Sequence, residues 1–67
     1  MKKYIDYLFE DQESGEMFFV EIEKTENKSY STCFDEAWAI AEENFDDPVF
    51  IEEVSPEVAE TYGYDTY

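Results

Sequence analysis

The chain has 67 residues, 19 of them acidic and four basic, giving a formal net charge of −15 with one cysteine and no histidine. That length holds one acidic domain over residues 1–67, and the Cys and His counts exclude an internal disulfide and a Cys/His metal centre. The negative balance argues against direct contact with nucleic acid or an anionic membrane, both of which call for basic patches.

Met1-Lys2-Lys3 runs straight into Tyr4-Ile5-Asp6-Tyr7, with no apolar run of signal-peptide or membrane-spanning length. A lone cysteine suits a reducing compartment, so the expected location is cytoplasmic. Residues 3–9 alternate weakly and are aromatic and branched, which predicts a strand with Ile5, Tyr7 and Phe9 on one face and Tyr4, Asp6 and Leu8 on the other. Ser14-Gly15 marks a turn. Residues 17–23 predict a second strand, Phe18, Val20 and Ile22 inward and Glu21 and Glu23 outward, closing an antiparallel hairpin. Residues 24–29 read as a loop, and Tyr30-Ser31 as a short extended piece.

Thr32 with Asp35 three residues on predicts a capping box. Phe34, Ala37, Trp38, Ala41 and Phe45 then recur at helical spacing, with Asp35, Glu36, Glu42, Glu43 and Asp46 on the other face. Asp47-Pro48 ends this helix, because the residue before proline avoids helical geometry. Residues 49–54 predict a third strand with Val49 and Ile51 on the core face. Ser55-Pro56 opens a short helix to Tyr62, closed by Gly63 in the left-handed region. The expected fold is α+β in the order β-β-α-β-α: a three-stranded antiparallel sheet, one main helix packed on one face, and a short C-terminal helix.

No chemistry beyond charge stands out. Without His, Arg, a phosphate loop or G-x-S-x-G, the chain is expected not to be an enzyme and to need no cofactor. Carboxylate pairs such as Glu42/Glu43 lack the ligand spacing of a calcium loop, so no dedicated metal site is expected. Cys33, with no base near it in sequence, reads as a small apolar filler. Tyr62, Tyr64 and Tyr67 could anchor a partner or cover the edge of the core.

The acidic excess is uneven. All four lysines (Lys2, Lys3, Lys24, Lys28) lie in the first 28 positions beside eight acids, while residues 29–67 carry eleven acids and no base. Glu42, Glu43, Asp46 and Asp47 also crowd a helix C-terminus, where the dipole disfavours negative charge by a few tenths of a kcal/mol each, up to about 1. Solubility explains a net charge of about 2–8 in a small domain. The larger charge here destabilises a marginal fold by self-repulsion and so calls for another reason. Duplex DNA carries about one charge per 1.7 Å, so −15 matches roughly 25 Å of duplex, close to the diameter of a compact chain of this length.

In size, acidity and aromatic content, and in such stretches as Phe34-Asp35-Glu36-Ala37-Trp38-Ala39-Ile40-Ala41-Glu42-Glu43 and Pro56-Glu57-Val58-Ala59-Glu60, the chain resembles small acidic phage-encoded anti-defence proteins. These are the anti-CRISPR and anti-restriction DNA mimics. The resemblance implies a stoichiometric inhibitor in the host cytosol that binds the basic surface of a nuclease or CRISPR effector. Partner contacts are expected from Glu42, Glu43, Asp46, Asp47, Glu52 and Glu53, then from Glu21, Glu23, Asp35 and Glu36. The expected assembly is a monomer or small homo-oligomer. The alternatives are a regulatory or assembly protein docking through Tyr62, Tyr64 and Tyr67, and a structural protein that pairs an open sheet edge.

Overall fold

A computed structural model describes residues 2–67. Strands β1 (Lys3–Asp11) and β2 (Met17–Lys24) form the hairpin, helix α1 (Tyr30–Asn44) follows, then β3 (Pro48–Val54), helix α2 (Pro56–Glu60) and the two-residue β4 (Asp65–Thr66). The class is α+β. The sheet has four strands in the order β3-β1-β2-β4, antiparallel except that β4 runs parallel to β2. The three-stranded antiparallel expectation therefore gains a fourth, parallel edge. It is pinned by the Tyr67 N–H donating to the Phe19 carbonyl at 2.8 Å and the Glu21 N–H donating to the Tyr67 carbonyl at 3.0 Å.

Period-two alternation places the expected residues on one sheet face. Ile5, Tyr7 and Phe9 of β1 join Phe18, Val20 and Ile22 of β2 against Cys33, Ala37 and Ala41 of α1. Small residues at i, i+4 and i+8 let the helix sit close, and Phe34, Trp38 and Phe45 flank them. Cys33 is fully buried, as a filler would be. The rings lock together: Phe18 stacks on Phe45 at 3.9 Å between centroids, and Phe9 meets Trp38 edge-on at 5.3 Å. A second, smaller core lies on the opposite face, where Leu8 and Phe19 are covered by Ala59, Met17 and Val54. The sheet is thus covered on both faces, and aromatic residues supply the burial that a chain this short otherwise lacks.

Three local expectations change. Helix α1 starts earlier than the Thr32 capping box, because Ser29 is the N-cap and its hydroxyl accepts from the Thr32 N–H at 3.1 Å. Tyr30 and Ser31 are accordingly the first helical residues, not an extended piece, and Asp35 sits past the first turn. The helix also stops at Asn44, three residues before the proline boundary, as extended Phe45 turns its ring onto Phe18.

The third change concerns β3. Val49 and Ile51 are exposed, and Phe50 takes the core position opposite Phe9. The register shifts between Leu8 and Phe9, with Glu52 opposite Leu8, so Ile51 is an extra residue in a bulge. The bulge reverses the phase of the strand: Phe50 faces α1, whereas Val54 faces the second core. Beyond α2, Gly63 has φ +75°, the left-handed conformation expected of it.

Candidate functional site

The hairpin and the helix that follows it sort the charges toward two ends. Because β2 ends at Lys24 and α1 returns antiparallel across the sheet, the N-terminus of α1 lies near the open end of the hairpin and its C-terminus near the turn. Lys3 pairs with Lys24 in the ladder at the open end. Lys3 Nζ donates to the Tyr30 hydroxyl at 2.8 Å, and Lys24 Nζ lies 5.0 Å from the centre of the same ring. Lys28 donates to Glu36 at 3.0 Å, an ion pair that ties Glu36 to this end. The Glu36 carboxylate and the Tyr30 hydroxyl hold the Lys28 and Lys3 ammonium groups, raising their pKa values above the ordinary lysine value.

Among the described residues, the opposite end has no base. Glu42 and Glu43 lie exposed in the last turn of α1, and Asp46 and Asp47 lie exposed in the loop after it. This loop is fastened to the β1–β2 turn. The Asp47 N–H donates to Asp11 Oδ1 at 3.0 Å, and its carbonyl accepts from the Gln12 N–H at 2.9 Å. The Ser14 hydroxyl donates to Asp11 Oδ2 at 2.8 Å, and Gly15, at φ +77°, closes the turn. Burial works to raise the Asp11 pKa, but hydrogen bonds from Ser14 and from the backbone of Asp47, Glu13 and Ser14 outweigh it and hold the carboxyl below its ordinary range.

The fastening brings Glu10 at the end of β1, with Glu13 and Glu16 of the turn, to the same end as Glu42, Glu43, Asp46 and Asp47. These three glutamates were not among the expected contacts. They are legible from connectivity, since a β-β-α unit returns the end of its helix to the hairpin turn.

The remaining expected contacts are dispersed. Asp35 is exposed on α1, one helical face with Glu42. Glu52 and Glu53 are both exposed but stand near the end of the edge strand, opposite Leu8 and Tyr7 in the middle of β1, and the pleat sends them to opposite faces. Glu53 pairs with Tyr7 in the ladder, whereas Glu52 accepts from the Tyr62 hydroxyl at 3.1 Å. That bond, ahead of the Glu52 charge itself, raises the Tyr62 pKa above the ordinary phenol value. Glu21 is opposite Asp6, and half-buried Glu23 is opposite Tyr4.

The C-terminal tyrosines pack inward while remaining partly exposed. Tyr62 meets Phe19 edge-on at 5.5 Å, Tyr64 lies 6.0 Å from Phe19, and Tyr67 meets Phe18 and Phe45 at 5.6 and 5.4 Å. Among the described residues, no group of three or more His, Cys, Asp or Glu side chains is placed to hold a metal ion. No helix there is long and apolar enough to cross a membrane. Compared with known proteins, the chain matches no family model, no curated protein and no solved structure.

Proposed function

We propose that the chain is a stoichiometric inhibitor that mimics nucleic acid and occupies the basic nucleic-acid-binding surface of a host defence nuclease, in the first place a CRISPR effector. The observation that carries this reading is the acidic end of the molecule. There, Glu42 and Glu43 oppose the dipole of α1, and Asp46, Asp47 and the turn glutamates join them with no lysine close in the fold. A fold selected for stability alone would place lysine there. Net charge −15 over a long axis of 36 Å is one charge per about 2.4 Å, against about 1.7 Å for duplex DNA. Carboxylates fixed on a helix end and a fastened loop would meet lysines and arginines with little ordering cost and would release bound counterions, as phosphates do.

The tyrosine-docking alternative draws less support, because Tyr62, Tyr64 and Tyr67 already spend part of their ring surface on Phe18, Phe19 and Phe45. Edge pairing is discouraged along β3 by its bulge and by Glu52 and Glu53.

The test is a quadruple reversal, Glu42→Lys, Glu43→Lys, Asp46→Lys and Asp47→Lys, assayed for binding to a panel of purified CRISPR effector complexes. The expected result is a loss of at least a hundredfold in affinity with an unchanged circular dichroism spectrum. Equal binding by the folded variant would refute the reading.

A further inference from the structure

The sheet face turned away from α1 carries an acidic feature separate from the charged end. Asp6, in the middle of β1, is only 3 % exposed, and its Oδ1 is buried with no hydrogen-bond partner. Glu21 stands directly opposite it on β2, and Val54 opposite it on β3. A cavity of about 360 Å³ opens here, with Asp6, Glu21, Glu60, Pro56, Ala59 and Tyr64 in its wall. Lys3, Lys24 and Lys28 make their bonds elsewhere, at the open end of the hairpin, and Lys2 and Lys3 line a neighbouring hollow across Pro56.

We propose that this cavity binds one organic cation, the ammonium or guanidinium end of a lysine or arginine side chain presented by a partner protein. A buried carboxylate oxygen without a donor is an uncommon feature in a folded protein, and an entering N–H would satisfy it. Asp6, Glu21 and Glu60 each contribute a carboxylate to the cavity wall. Pro56 and Ala59 supply an apolar wall for an alkyl stem, and Tyr64 adds an aromatic residue, a type that attracts cations. The volume lies at the low end of ligand cavities and suits a side chain. A metal ion suits it less, since no metal-holding group of three such side chains exists among the described residues.

The site has a built-in pH dependence. Burial first, then a hydrogen bond shared with the Glu21 carboxyl, then its charge, push the Asp6 pKa up to about 7. The titratable groups around it are Glu21 on β2, Glu60 at the end of α2 and Tyr64 beyond. A cation entering the cavity ionises Asp6 and displaces its proton, so binding strengthens as pH rises through that value.

The experiment is a chemical-shift titration of the full chain by NMR, with n-butylammonium and methylguanidinium chloride as probes and sodium chloride at matched ionic strength as control. Saturable shifts are expected at the amides of Glu21, Gly63 and Tyr64. Binding should be roughly thirtyfold weaker at about pH 5.5 than at about pH 8. Asp6→Asn and the exposed Glu60→Gln should each weaken it severalfold, so the result stands even if one variant folds poorly. Shifts no larger than those from sodium, or unchanged affinity in both variants, would overturn the proposal. No partner protein is present, so failure here bears on the cavity alone and leaves the charge-reversal test of the acidic end untouched.

Discussion

Asp6 and Tyr7 are neighbours in β1 that point to opposite faces of the sheet, and each carries a buried polar atom with no partner, Oδ1 of Asp6 and the Tyr7 hydroxyl. For Tyr7, burial and then the nearby Glu53 charge push the phenol up to about 12, so it stays neutral and the hydroxyl is simply left unpaired. Tyr7→Phe is therefore expected to raise stability by about 1 kcal/mol in urea denaturation. A loss of stability would mean that the hydroxyl has a donor or acceptor in solution. For Asp6, the folded pKa lies above the unfolded one, so the folded state binds the proton more tightly. The stability this contributes is complete below about pH 4 and is lost as pH rises toward about 7. Asp6→Asn should flatten that part of the Tm-against-pH profile and gain about 1–3 kcal/mol at pH 8. A profile identical to that of the parent would contradict it. Asp11 acts with the opposite sign: its folded pKa is depressed, so its contribution is present above the ordinary carboxylate range and lost below it. The two aspartates thus govern separate pH windows. Neither role shows in the sequence: that of Asp6 depends on which residue faces it across the ladder, and that of Asp11 on the turn and the distant loop that close around it.

At the scale of elements, α1 bears a conflict between stability and its outward charge. Its last turn has no basic residue, and Glu42 and Glu43 occupy it instead. Glu42→Lys with Glu43→Lys should stabilise the free protein by a few tenths to about 1 kcal/mol per site while weakening partner binding. Guanidinium denaturation measured alongside effector affinity checks this, and destabilisation by both substitutions would argue that these carboxylates are held by contacts in the free protein. The inward faces of β1, β2 and α1 were legible because regular periodicity is a local property. The phase of β3 was not, because the bulge at Ile51 answers to a tertiary demand: Phe50 must meet Phe9 while Val54 covers the far side. Helix α1 was displaced at its start because Ser29 and Thr32 both offer hydroxyls, and the earlier one caps the helix. Two-residue β4 carries no periodicity at all and exists through its bonds to β2.

Across the whole molecule the bases keep to one end of the hairpin, and the other end is purely acidic among the described residues. Nine-residue β1 spans roughly 30 Å, with Lys3, Lys24 and Lys28 near one end and the turn, the α1 terminus and the Asp46-Asp47 loop near the other. The sequence showed that residues 29–67 lack bases. It did not show that Glu10, Glu13 and Glu16 come to the same end, or that Glu52 and Glu53 leave it, because those placements follow from chain return and strand pleat. A partner with a basic channel would be steered toward the acidic end, and association should slow steeply with added salt. The most direct measurement is displacement of labelled DNA from purified CRISPR effector complexes by this chain, across about 50 to 200 mM salt. Competitive displacement is expected at near one-to-one stoichiometry, weakening steeply over that range and disappearing in the quadruple lysine variant. Displacement that ignores both salt and the four reversals, or an absence of displacement from every effector tested at the lowest salt, would contradict it.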